Sequence, residues 1–144
     1  MRLTIHSDLA FRTLILLAAA GEEGVDIPKI AKTYDVSENH LRKVAQRLAQ
    51  FGWVTSTRGR GGGLRLGVEP DKIFIGEVLR RMETDFALVD CLGHAPERCL
   101  ITGNCGLQNI FGEALRAWFK VLDQYTLADA LSRSRGLEKA LQLG

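Results

Sequence analysis

No long hydrophobic run interrupts this sequence. The longest, Leu14 to Ala20, follows Arg12 closely and falls well short of the about 20 residues a membrane-spanning helix needs. No charged, apolar and small-residue pattern of a secretory leader opens the chain. Cysteine is scarce, and its odd count of three argues against the disulfide framework of a secreted domain. The expectation is a cytoplasmic protein with no membrane partner. Catalytic signatures are missing as well: there is no phosphate-cradling GxxxxGK[ST] loop, no GxSxG elbow and no CxxC pair. His6, His40 and His94 have no evident catalytic partners, so the sequence does not read as an enzyme.

Nor does one sign of charge dominate. The 144 residues carry a net charge of +2, with 46% hydrophobic and 25% charged residues, the profile of an ordinary globular protein able to bury its own core. What charge there is lies locally. Between residues 37 and 66 stand Arg42, Lys43, Arg47, Arg58, Arg60 and Arg65 against the single acid Glu38. A local basic surface on a balanced protein suits a phosphate-facing partner.

The pattern along the chain is mainly helical. Leu9 to Ala20 is apolar around most of a helix, with Ser7 or Asp8 as its cap. Asp26-Ile27-Pro28 starts a second helix. Asp35-Val36 makes a short turn, and Ser37 caps a third helix that places Leu41, Val44, Ala45 and Leu48 on one side. Gly52 ends it. Val54 to Thr57 and Leu64 to Leu66 read as strands around the glycine-rich turn Arg58-Gly59-Arg60-Gly61-Gly62-Gly63. A helix follows over about Ile75 to Glu83. Residues 84–106 lack periodicity, and from Leu107 to Gln124 apolar residues recur at three- and four-residue steps. A helix about 27 Å long with large aromatics on its stripe calls for a partner surface, and the same helix of a second chain supplies one. Thr126 caps a last helix with Asp129 three residues on.

This order predicts a mainly α fold with a small β-wing: a winged helix-turn-helix domain over 1–83, a cysteine-bearing loop over 84–106, and a dimerisation helix with its tail over 107–144. In such a fold the second helix of the pair lies in the major groove of double-stranded DNA. Its exposed face offers Ser37, Glu38, Asn39, His40, Arg42 and Lys43 as DNA contacts. Arg47 reads as a phosphate or solvent contact. Arg58 and Arg60, on a glycine-rich tip, suit the narrow minor groove. Two such modules on a homodimer would read a pseudo-palindromic operator.

Cys91, Cys99 and Cys105 form a C-x7-C-x5-C set within one irregular segment, an arrangement expected of a shared metal centre more than of structural thiols. Thiolates suit iron–sulfur clusters and zinc. Zinc could use His94 as a fourth ligand, although the short C-x2–4-C pairs usual for zinc are missing. A cluster held by three thiolates and a weaker ligand would leave one iron labile, as a sensor requires.

Taken together, Met1-Arg2-Leu3-Thr4, Ser7-Asp8, Val36-Ser37, the VTSTRGRGGGLRLG stretch at 54–67, Ile75-Gly76-Glu77-Val78 and the cysteine trio resemble the bacterial winged-helix iron–sulfur transcriptional regulators. The likeness spans about residues 2–130. Asn39-His40 and Leu122-Asp123-Gln124-Tyr125-Thr126-Leu127-Ala128-Asp129 are similar to the nitric-oxide-sensitive branch. The resemblance implies a repressor homodimer binding a [4Fe-4S] rather than a [2Fe-2S] cluster through Cys91, Cys99 and Cys105, completed by Asp8 of the partner subunit, with nitric oxide as the signal. One departure stands against that branch: the seven-residue first cysteine gap resembles the iron-responsive branch. The histidine ligand of the cluster-assembly branch has no clear counterpart, since Leu107-Gln108 stands in that region. An iron- or redox-responsive regulator, or a zinc or thiol-switch transcription factor, is therefore the alternative.

Overall fold

The computed structural model describes residues 2–57, 63–93 and 96–141, with the side chains of Glu97 and Glu138 left aside. In chain order the elements are α1 (Ile5–Ala20), α2 (Ile27–Tyr34), α3 (Glu38–Gln50), β1 (Val54–Thr57), β2 (Gly63–Leu66), α4 (Ile75–Met82), α5 (Gly106–Leu122), α6 (Leu127–Ser132) and α7 (Leu137–Ala140). The fold is the predicted one, mainly helical with a two-stranded antiparallel wing.

Helix α1 is the axis of the core. Leu9, Ala10, Leu14, Leu16 and Leu17 are all buried, and α1 packs against α3, α4, β2 and α6. It begins one turn earlier than the sequence suggests. Thr4, not Ser7 or Asp8, is the cap: its hydroxyl accepts from the Ser7 N–H at 3.3 Å. The Thr4 N–H in turn donates to the Glu83 carboxylate at 2.6 Å, which joins the start of α1 to the end of α4. Ser7 is thereby buried and Asp8 lies in the first turn, where its negative charge complements the helix dipole. Thr13 is also buried in α1, and its hydroxyl finds no hydrogen-bond partner among the described residues. A buried, unpaired hydroxyl is costly. Thr13→Val is expected to raise stability by about 1 kcal/mol and the melting temperature by about 3 °C, measured by thermal denaturation.

The helix pair follows the sequence closely. Asp26 caps α2 by accepting from the Lys29 N–H at 2.8 Å. Asp35 closes α2 in the left-handed region (φ 50°, ψ 56°), donating its N–H to the Ala31 and Lys32 carbonyls. Ser37 then caps α3 through the Asn39 N–H at 3.2 Å. The strands of the wing pair with Val54 opposite Leu66 and Thr57 opposite Gly63. Val25 bridges the other edge of β2, exchanging backbone hydrogen bonds with Leu64 at 2.9 and 2.8 Å. This approach requires glycine at 63, because a Cβ there would lie only 2.9 Å from the Val25 backbone.

Beyond α5 the chain returns to the same core. The Ile75 N–H donates to the Tyr125 carbonyl at 2.9 Å and the Leu127 N–H to the Ile73 carbonyl at 2.8 Å, and Leu127 and Leu141 are buried in that core. The Thr126–Asp129 capping box forms as expected, with the Thr126 N–H donating to the Asp129 carboxylate at 2.8 Å. The backbone N–H and hydroxyl of Thr126 hold the Asp129 carboxyl below the usual carboxylate range.

Candidate DNA interface and metal centre

The core side of α3 fixes what its other side can do. Leu41, Val44, Ala45 and Leu48 are buried, so Glu38, Asn39, His40, Arg42, Lys43 and Gln46 are left exposed along the surface a DNA groove would meet. Glu38 and Arg42 pair at 2.9 Å, both side chains about half exposed. An exposed pair of this kind contributes about 0.3–0.5 kcal/mol, so Arg42 can exchange Glu38 for a base edge or phosphate at little cost. His40 sits edge-on to His6 of α1, with ring centroids 6.1 Å apart. Arg47 departs from the sequence reading: it is half-buried, and its guanidinium donates to the Met82 carbonyl at 3.2 Å. It braces α3 against α4, a role no local pattern reveals because the partners lie 35 residues apart.

Thr55, Ser56 and Thr57 are exposed on β1 and lead to the wing tip. Arg58 and Arg60, the predicted minor-groove contacts, lie outside the described residues, as does His94. On β2, Arg65 lies across Gly24, and its Nε is buried without a partner among the described residues.

All three cysteines are free and half-buried. Cys91 lies in the tight turn Asp90–Leu92, Cys99 follows the turn Pro96–Arg98, and Cys105 is the residue before α5. The two turns pack together, and the first also touches α5. Gln108 ties this segment to α5: its amide donates to the Cys91 carbonyl at 3.1 Å and accepts from the Gly103 N–H at 3.0 Å. Sequence reasoning notes Gln108 as the residue in place of a ligand, not as the stitch it is. At its start the segment is anchored by Phe86, whose ring meets Phe119 at 4.8 Å and Trp118 at 6.2 Å between centroids. The same Phe119 carries the Arg80 guanidinium 4.1 Å above its ring, and Arg80 holds Asp123 through two hydrogen bonds of 2.6 and 2.7 Å. Arg80 keeps the Asp123 carboxyl below its usual range, so this α4–α5 clamp is intact above the ordinary carboxylate pKa and opens only as pH falls through the lowered value.

Asp8 is elsewhere. It pairs with Arg12 at 2.8 Å, both half exposed. The Arg12 guanidinium also lies 5.8 Å from the Tyr34 ring centroid, and the Tyr34 hydroxyl donates to the Arg12 carbonyl at 2.8 Å. Burial pushes the Tyr34 phenol up to about 12, against the opposing pull of Arg12. The four-residue step from Asp8 to Arg12 was a readable signal for this pair. Among the described residues, no three of His, Cys, Asp or Glu come close enough together to hold a metal ion. A single chain thus places the three thiols on one loop without gathering them, and it keeps Asp8 apart. The donor set still fits iron in its chemistry: three free thiols, none consumed in a disulfide, one of which, Cys105, stands at the positive end of α5.

A Ser-capped basic helix after a short turn, followed by a β-ribbon anchored to the core, defines a winged helix-turn-helix regulator of transcription. The chain belongs to the Rrf2 family, iron-dependent transcriptional regulators, whose pattern matches residues 3–133. It is 46% identical over 144 residues to the HTH-type transcriptional regulator NsrR of Bacillus subtilis, covering 99% of each chain. Among solved structures it superposes on CymR, the global cysteine regulator of B. subtilis, with a TM-score of 0.68 at 28% identity, covering 94% of this chain and 99% of that one. IscR of T. potens shares the fold with a TM-score of 0.74 at 24% identity, covering 94% and 89%. The chain is accordingly a DNA-binding regulator and not an enzyme. No helix among the described residues is long and apolar enough to cross a membrane.

Proposed function

We propose that the chain acts as a homodimeric repressor whose affinity for a pseudo-palindromic operator is set by a [4Fe-4S] cluster, with nitric oxide as the signal. The observation that carries this reading is the trio of free thiols on one loop packed against α5, in a chain closely similar to a regulator named NsrR. Cys91, Cys99 and Cys105 would hold the cluster, and Asp8 of the partner subunit would complete it. When bound, the cluster supplies an iron site open to attack by nitric oxide.

The chain's own residues supply the coupling. Residues 1–83 read DNA: α3 presents Ser37, Glu38, Asn39, His40, Arg42 and Lys43, and the wing adds Arg58 and Arg60. Residues 107–144 pair the subunits. None of the residues of α5 is buried within one chain, and Leu107, Ile110 and Val121 are all more than half exposed on it, so an apolar face remains for a second copy. Residues 84–106 connect the two functions, held to α5 by Gln108 and Phe86. Asp8 can leave Arg12 at small cost, since an exposed ion pair contributes at most about 1 kcal/mol. Ordering of the loop thereby biases the spacing of the two α3 helices. A change in affinity of about tenfold to a hundredfold needs only about 1.4–2.8 kcal/mol of coupling.

The test is composition. Protein purified without oxygen is expected to be coloured and to contain about four iron and four acid-labile sulfide per chain. Colourless protein with one zinc and no sulfide would replace this reading with a zinc-stabilised factor. The seven-residue gap between Cys91 and Cys99 favours an iron-responsive regulator as the second reading. Operator release by iron chelation but not by nitric oxide would select it.

A further inference from the structure

We infer that His6, on α1, is a positioning residue of the DNA interface: its ring fixes the ring of His40, so that α3 meets the major groove with that side chain already set. This rests on α3 as the reading helix, deepens that part of the proposed function, and needs neither the metal centre nor the dimer.

Two imidazoles meet where α1 and α3 reach the surface together. The ring centroids of His6 and His40 lie 6.1 Å apart at an interplanar angle of 86°, an edge-to-face arrangement in which the positive rim of one ring meets the negative face of the other. Chain position explains the meeting. His6 stands shortly before Leu9 and Ala10 on α1, and His40 one turn before Val44 on α3. Leu9, Ala10 and Val44 are buried in the core where α1 packs against α3. A helix stacks neighbours three and four residues apart along one face, so each histidine extends a buried stripe to the surface. His6 is half-buried there and His40 exposed.

The two rings are not held equally. The start of α1 is fixed on both sides of His6. The Thr4 N–H donates to the Glu83 carboxylate at 2.6 Å, and Ser7 is fully buried with its N–H on the Thr4 hydroxyl at 3.3 Å. His40 lies in the first turn of α3 beside the exposed Glu38 and Asn39, and the ring it meets is that of His6. An imidazole presents its donor and its acceptor on different nitrogens, so it matches a base edge in one orientation only. An exposed side chain that must adopt that orientation loses freedom on binding. A neighbour that sets the ring beforehand removes this cost, a gain of about three- to tenfold in affinity. His6 thus acts through His40 rather than on the bases.

A double-mutant cycle on operator DNA, read by fluorescence anisotropy with full-length protein purified without oxygen, tests this. His40→Ala is expected to weaken binding about tenfold, and His6→Ala about three- to tenfold. The double variant is expected to lose no more than His40→Ala alone, because the two residues share one role. His6→Phe, which keeps a flat ring at position 6, is expected to recover most of the loss. Single-base changes across the operator supply a readout that a packing defect would not move. The base whose identity ceases to matter in His40→Ala is expected to matter less in His6→Ala, with the salt slope unchanged. Losses that multiply in the double variant would overturn the inference and leave the proposed function standing. So would a flattened salt slope in His6→Ala, which would make His6 a phosphate contact in its own right.

Discussion

The Cys99→Ala chain is expected to fold and pair, yet to be purified without colour and with iron and sulfide near zero. Its operator affinity is expected to fall about tenfold to a hundredfold, a cost of about 1.4–2.8 kcal/mol, and to respond no further to nitric oxide. Cys99 is free and half-buried on the loop, outside the core formed around α1, so the substitution should leave stability within about 0.5 kcal/mol of the parent. Loss of regulation without loss of fold separates a ligand from a packing residue. Full cluster content in this variant, measured by iron and sulfide analysis, would mean that the ligand set is wrong.

The second large effect concerns the wing. In the Arg58→Ala/Arg60→Ala chain, a homodimer loses four arginines at once. Each phosphate contact contributes about 0.9 to the slope of log affinity against log salt, so the slope is expected to flatten by up to about 4. Binding weakens most at low salt, where counterion release is worth most. The two strands that flank these residues in sequence are held at their turn end by the Val25–Leu64 bridge and by the close approach of Gly63 to Val25, and neither contact is touched by the double substitution. An unchanged salt slope, read by anisotropy titrations on operator DNA, would remove the wing from the interface.

How much of this was legible in the sequence depends on how local each cause is. The caps at Asp26, Ser37 and Thr126 are read from a few neighbouring residues, and all three form as expected. The cap of α1 misleads because Thr4, Ser7 and Asp8 are all competent capping residues. What accompanies Thr4 is a hydrogen bond from its N–H to Glu83, 79 residues away. Arg47 is the same kind of case: charge and spacing place it on a basic helix, but the Met82 carbonyl that holds it belongs to another helix. The aromatic stripe on α5 mixes two roles that periodicity cannot separate. Phe119 packs under Arg80 and against Phe86 in its own chain, while Leu107 and Ile110 face outward.

The candidate metal centre was legible as chemistry and not as geometry. Three cysteines in one irregular segment announce a donor set by type and spacing. Their gathering is a different matter, because no backbone pattern fixes a loop of two short turns, and one member of the expected set stands on another chain. Asp8 shows this directly. Within one chain it is a first-turn acid paired with Arg12, and nothing local marks it as more. Gln108, which fastens the loop to α5 through two hydrogen bonds, carries no sequence signal at all.

The most direct test of the account is an oxygen-free titration of the purified holoprotein with nitric oxide, read by fluorescence anisotropy on operator DNA. The predicted result is release of the DNA, with affinity falling about tenfold to a hundredfold in step with bleaching of the protein's colour. Affinity that holds steady while the colour bleaches would contradict the claim that the state of the cysteine-bound centre governs DNA binding.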